Sequence, residues 1–332
     1  MRLPMFKAIA FSASLFVLIA MMPASLTAVD QTNSVTAIKP VAATGEGPAG
    51  RRYVLKYRFV PEQVVCFEVR DKRSIRLQKR RATETVNNTT FTLKHFRVVS
   101  LDEDDNSVLE TTIDHVRISA TFGEDEPIEY DSETDKTPPA AFSGVVRAIG
   151  TPLARCKFSA NGELLETQPI IGKGQISPEK AHEAAKNASQ TFLISLPPAP
   201  VTVGESWEET FEIPVAVSKG LRRNIKLGRR YTLSSVENDL ATINLKTTIL
   251  APVNNPEVSA ELVQRAPQGT IVFDIKRGQI ISKTLKIKKA IHGVDGPDSL
   301  MRVESELVEK LVPRERIARV ERREIGPPRA PE

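Results

Sequence analysis

Residues that ordinarily announce chemistry are scarce in this chain: two cysteines, four histidines and one tryptophan occur in 332 residues. Cys66 and Cys156 form no CxxC pair and have no catalytic histidine close by, so redox and thiol-nucleophile roles lack support. His95, His115, His182 and His292 make no HExxH and no other zinc-like spacing with a second His or Cys, so no metal ligand is named. Gly204-Glu205-Ser206-Trp207-Glu208 lacks the closing glycine of a nucleophile elbow. The glycine patterns that cradle phosphates or dinucleotides are missing as well. No catalytic residue and no cofactor is therefore expected, and an enzyme is the weakest of the functional readings. A net charge of +5 is small for this length, and its basic residues are interleaved along strand-like runs. That pattern suits a solvated sheet face and argues against a nucleic-acid partner.

One long apolar run is present, at the very start. Arg2 and Lys7 precede an apolar stretch from Ala8 to Met22, and the small-residue segment Pro23 to Ala28 follows. This is the layout of a secretory signal, and the run is shorter than the ~20 residues a spanning helix needs. Cleavage after Ala28 is expected, with an uncleaved anchor as the alternative. No second such run follows, so no integral span is expected after cleavage. A periplasmic or extracellular protein is expected. Export permits a disulfide, so Cys66 and Cys156 are either bridged or two buried thiols.

Residues 29–50 are rich in Ala, Thr, Gly and Pro and read as a flexible leader. A first β-rich half is expected over 51–175. Tyr53, Leu55, Tyr57 and Phe59 alternate with charged or smaller residues, and Val65, Phe67 and Val69 do the same beyond Pro61, which predicts a hairpin. The basic run Arg70 to Arg81 reads as a long strand with a charged outer face. Phe91–Val99 and Val108–Ile118 flank the acidic tip Asp102 to Asn106, whose spacing fails the EF-hand pattern. Gly123 to Lys136 is acidic and reads as a mobile loop. Asn161-Gly162 supplies the positive φ angles of a tight hairpin turn.

The centre, 176–198, carries the one strong helix signal. Ser177-Pro178-Glu179 is an N-cap, a first-turn proline and an acidic first turn. Ala181, Ala184, Ala185, Ala188, Phe192 and Leu193 follow at helical spacing, and Pro197, Pro198 and Pro200 end the helix near Leu196. A second β-rich half spans 199–312, with Lys219 to Arg230 as a basic connection, hairpins across Glu237-Asn238-Asp239 and Lys276-Arg277-Gly278, and a proline-bearing loop around Pro252, Pro256 and Pro267. The tail, 313–332, is rich in proline and charge and reads as disordered. Phe96–Ile113 resembles Tyr231–Ile249, and Cys156–Thr167 resembles Ile271–Thr284, a weak internal repeat.

The signal peptide, the opening YVLKYRFVPEQVVCFEV and the central LPPAPVTVGESW together resemble an uncharacterised family of secreted bacterial proteins. In those, an "lP..V.vGdsW" element introduces a second β-rich half; the resemblance is specific at Leu196 to Trp207 and implies no activity. More distantly, long antiparallel strands under a helix look like LolA-type half-barrels that carry lipid-linked cargo in the periplasm. The expected fold is mainly β (α+β): curved antiparallel sheets or an open half-barrel in two meander halves, with one central helix against the concave side. The expected function is an exported, non-enzymatic binding module for an apolar or lipid ligand, lined by Tyr53, Tyr57, Phe67, Phe192 and Trp207. The alternative is a structural or protein-interaction component of the cell envelope.

Overall fold

The computed structural model describes residues 36–41, 50–146, 149–152, 154–170, 192–218 and 221–317. Thirteen strands are found among them: β1 (Thr36–Val41), β2 (Val64–Lys79), β3 (Ala82–Leu101), β4 (Ser107–Phe122), β5 (Ile128–Asp131), β6 (Ala154–Phe158), β7 (Leu164–Pro169), β8 (Ser206–Ser218), β9 (Leu221–Glu237), β10 (Leu240–Ile249), β11 (Gln268–Asp274), β12 (Gln279–His292) and β13 (Ser299–Val312). The helical pieces among the described residues are short, and include a 3-10 turn (Ala140–Phe142), α1 (Ser143–Val146) and α2 (Pro256–Val263).

All strands join one antiparallel sheet in the order β1-β8-β9-β10-β11-β12-β13-β2-β3-β4-β6-β7, with β5 also paired to β4. The two expected meanders are therefore one continuous sheet, joined along β13–β2. Its end strands β1 and β7 do not pair with each other, so the sheet is open. The succession β2-β3-β4-β6-β7 has its counterpart in β8-β9-β10-β11-β12, with the repeated segments in matching places. Hairpin chemistry fixes the joints: Asn238 and Asp239 both take positive φ between β9 and β10, and Gly162 and Gly278 do so after β6 and β11.

Period-2 alternation sends every second side chain to one face. Phe158 on β6 and Tyr231, Leu233 and Ile243 on β9 and β10 lie far apart in strand order yet share one core. The sheet must therefore curl so that its two arms face each other. Between the arms run two segments that belong to no strand. Tyr53 to Phe59, expected as the first arm of a hairpin with Val65–Val69, instead crosses the interior. Its alternation is real, with Leu55 and Tyr57 packed into the core and Val54 and Arg58 exposed, so one side of the segment is buried and the other faces solvent. The second segment, Phe192 to Val201, pairs with it through Tyr53 and Val201.

Several further expectations need correction. Most of the central helix (residues 177–191) lies outside the described residues; its expected last turn, Phe192 to Leu196, is irregular chain packed in the core. The helix that fills the concave side among the described residues is α2, in what reads as a proline-bearing loop. Its Val258 and Leu262 meet Phe211, Ile213 and Ile225 of one arm, and Ala260 and Val263 meet Ile75, Ile287 and Val303 of the other. The leader contains β1, paired to β8. The acidic loop contains β5, and Lys219 to Arg230 is largely β9 rather than a connection. The tail begins with an ordered turn that buries Ile317 and pairs Arg316 with Glu68.

Candidate functional site

Directly opposite residues in neighbouring antiparallel strands share a face, so the register reads out the concave wall row by row. One row is Lys283–Glu309–Val69–Thr92–Val116, and the next is Leu285–Leu307–Asp71–Thr90–Ile118–Tyr130. Arg73 and Asn88 follow one step further along. Below them stand the aromatic rings Phe67, Phe96, Phe158 and Phe192. Phe192 lies 5.1 Å from Phe96 and 5.9 Å from Phe158, centroid to centroid. Charged and hydroxyl side chains are thus set among apolar ones on the inside of the sheet.

The ions form a layer. Glu309 takes Lys283 at 2.8 Å and Lys94 at 2.7 Å, and Lys283 Nζ also donates to the Phe192 carbonyl at 3.0 Å. The side chains of Lys283 and Glu309 are only 5% and 6% exposed, and that of Lys94 is 23% exposed. Burial alone would raise the carboxyl of Glu309, but the two ammonium groups overcome this and hold it down to about 2. Lys283 moves down as well: burial is the largest cause, and the nearby Lys94 and Arg229 add to it against the attraction of Glu309. Across the interior Tyr231 donates to Glu209 at 3.0 Å, and Arg229 lies 3.5 Å from the same carboxylate and stacks over Phe211. Asp71 approaches Arg73 at 3.5 Å through Oδ2, while its buried Oδ1 has no hydrogen-bond partner among the described residues, and burial pushes its carboxyl up.

The five residues expected to line a ligand all belong to or pack against one hydrophobic core, and two of them border a cavity. Phe67 and Phe192 border one small cavity with Lys94, His95, Phe96, Thr111 and Glu309. Its volume is about 10 Å³, space for a water at most. Tyr57 is buried between the arms, where its hydroxyl donates to Ile194 O and accepts from Ile194 N. Trp207 is fully buried, stacks on Tyr231 at 5.6 Å and donates its indole N–H to Ser195 O at 2.7 Å. Tyr53, half-buried, lies under Arg51. Both cysteines are buried thiols with no bridge between them. Cys66 on β2 and Cys156 on β6 are three strand spacings apart, roughly 14 Å at ~4.8 Å each, well beyond disulfide reach.

The sequence reading missed the interior ions and what lies on the convex face. There His95 Nδ1 meets Asp114 at 2.8 Å, opposite Cys66 in the β2–β3 register. His115, Asp131 and Glu133 bring one ligand atom each within 4.8 Å of one another. No local motif marks either group, because strand pairing assembles them. A wider cleft of about 580 Å³ lies between Asn254–Glu257 and Gly293–Gly296. Two of its polar side chains are engaged, Asn255 in capping α2 and Asp295 in pairing with Lys79. Among the described residues no helix is long and apolar enough to cross a membrane.

A family of unknown function, DUF6263, matches residues 172–280. That stretch includes the Leu196–Trp207 element. No curated protein matches the chain. Among solved structures, a lipovitellin described for its lipid–protein interactions aligns at 12% identity with a TM-score of 0.45, covering 77% of this chain and 26% of that one. This chain thus spans about a quarter of lipovitellin. The translocator domain of the autotransporter NalP from Neisseria meningitidis aligns at 8% identity and TM-score 0.27, over 77% of this chain and 90% of that one. A DUF1329 family protein from Desulfovibrio piger aligns at 9% identity and TM-score 0.12, over 76% and 84%. These likenesses are too distant to carry any property across.

Proposed function

We propose that the protein is an exported, non-enzymatic binding module that holds an apolar or lipid ligand with a polar head against the concave side of its sheet. The observation that carries this reading is the amphipathic interior. Lys94, Lys283 and Glu309 lie among Phe67, Phe96 and Phe192 on the inner face of a sheet left open along one seam. Stability alone gives little reason to bury such ions, since apolar replacements of similar volume are often neutral or stabilising. An amphipathic ligand gives both components a use. The interior is filled by Tyr53–Phe59 and Phe192–Val201, which lie outside the ladder, so room for a ligand comes from shifting these segments while the sheet stays intact. The N-terminal apolar run supports export. A non-enzymatic role rests on the sequence, which carries none of the catalytic motifs sought above.

Native mass spectrometry and solvent extraction of gently purified full-length protein test the reading. An acylated or otherwise apolar molecule should co-purify and be lost in Phe192→Asp. Repeated ligand-free preparations that also take up no fluorescent fatty acid would overturn it. A second reading, an envelope interaction component, is favoured by one observation. Among the described residues no strand lies beyond edge strand β7 in the sheet order, and Leu165 on it is 49% exposed. Such an edge accepts an added strand. Cross-linking from a residue placed at position 165 should then trap one dominant protein.

A further inference from the structure

We propose that His115, Asp131 and Glu133 form a binding site for a divalent transition cation, of which Zn²⁺ is the natural probe. Strand pairing builds the site. His115 sits on β4, Asp131 ends β5 opposite Arg117, and Glu133 follows two residues later. The chain after β5 is held to β4 by Ser132, whose N–H donates to Val116 O at 2.9 Å and whose hydroxyl accepts from Val116 N at 3.0 Å. This delivers both carboxylates to one imidazole. His115 is 3% exposed as a residue; its ring lies 5.7 Å from the Phe91 ring and turns Nε2 to Asp131 Oδ1 at 2.6 Å.

One imidazole nitrogen and two carboxylate oxygens are a donor set for zinc and its neighbours; calcium and magnesium prefer oxygen alone. Arg117 Nε donates to Asp131 Oδ2 at 2.7 Å and the Glu133 amide donates to Oδ1 at 3.0 Å, so the aspartate is oriented by one side chain outside the ligand set and by the backbone of the turn. Ligands bonded to zinc at ~2.0–2.1 Å in a tetrahedral arrangement stand ~3.3 Å apart. His115 and Asp131 need therefore part by less than ~1 Å, a side-chain adjustment. Two carboxylates offset the charge of the cation, and Arg117, largely exposed, can swing into solvent. Solvent or a further group would complete the coordination. The site lies on the convex face, apart from the proposed ligand side of the sheet.

The test is calorimetric titration of chelator-treated full-length protein with ZnCl₂, checked by metal analysis after dialysis. Wild type should bind one Zn²⁺ per chain at micromolar or tighter affinity, with Mg²⁺ and Ca²⁺ not competing. His115→Gln should abolish binding, and Glu133→Gln should weaken it at least ~10-fold. Glu133 lies in a surface turn, so the second variant keeps the test valid if the first fails to fold. Absence of stoichiometric binding to wild type at ~100-fold the expected dissociation constant, which would otherwise raise the folding constant ~100-fold, overturns the proposal. Equal affinity in wild type and Glu133→Gln does so too.

Discussion

Replacing Glu309 by Gln tests the buried ion layer most directly. The carboxylate sits 2.8 Å from Lys283 and 2.7 Å from Lys94, with Lys283 almost wholly out of water. Gln keeps the shape and removes the charge, so two ammonium groups face each other across a neutral amide. Breaking a buried pair by deleting one partner costs about 3–5 kcal/mol, most of it from the ion left behind. A carboxyl lowered from 4.5 to about 2 corresponds to about 3 kcal/mol, the same order. The sign follows from the direction: the folded state holds the proton less tightly than the unfolded chain. Glu309 therefore contributes its full stabilisation above pH ~4.5 and loses it as pH falls toward ~2. Urea unfolding at pH 7 should show a midpoint lowered with little change in slope, and the wild-type disadvantage in acid should shrink in the variant. The double change Lys283→Met with Glu309→Leu should recover most of the loss, because it removes the buried pair and leaves only Lys94, which is 23% exposed and can turn its ammonium to water. A cost for Glu309→Gln below about 1 kcal/mol would refute the buried-layer argument. A double variant as unstable as the single one would refute it equally.

Two other perturbations probe the interior segments. Gly162→Ala places a methyl group in a residue with φ +81°, 2.6 Å from Tyr57 Cε2 and against the Ile194 carbonyl. Left-handed strain of about 1–2 kcal/mol and overpacking of about 1–3 kcal/mol should add. Gly204→Ala, with φ +95° and open space around it, should show only the strain, and thermal melts of the two should differ accordingly. Trp207, the only tryptophan, should emit at short wavelength and resist iodide quenching. Trp207→Phe should cost about 1–3 kcal/mol by leaving the buried Ser195 carbonyl unpaired, read by chemical denaturation. An indole readily quenched in the native protein would contradict its place in the core.

The β class, both meanders and most hairpin turns were legible because they rest on local rules: alternation, Asn-Gly and Asn-Asp turns, and glycine at the bend. What alternation cannot reveal is which surface covers a strand-like run. Tyr53–Phe59 alternates as a sheet strand does, yet its partners are the two arms of a curled sheet. Helix signals were legible unevenly. Asn255-Pro256-Glu257 is the same start as Ser177-Pro178-Glu179, with the Asn255 side chain accepting from the Glu257 and Val258 amides. Only eight residues follow before the chain leaves the helix, and both its sides are apolar, so no single stripe emerges. The ion layer and the His115 cluster were invisible for one shared reason. Lys94, Lys283 and Glu309 are scattered along the sequence, and only the register of β2, β3, β12 and β13 makes them neighbours.

The internal repeat, weak as sequence, acquires a physical meaning from the interior segment. The turn after β6 accepts a hydrogen bond from Tyr57 N through Ala160 O at 2.9 Å, and the turn after β11 accepts one from Arg58 N through Gly278 O at 3.1 Å. Each turn has a positive-φ glycine where a side chain would collide with that same segment, Gly162 with Tyr57 and Gly278 with Arg58. Two equivalent hairpins, one from each half, thus grip adjacent residues of one strand-like piece from opposite sides. The fully buried Phe158 and Phe273 occupy matching places in the two hairpins, and the Tyr57 ring meets Phe273 edge-on at 5.5 Å. A segment held this way couples the arms of the sheet. Any ligand that enters from the open seam must then compete with Tyr57 for the space between the two hairpins, and weakening either turn should ease its entry while loosening the fold.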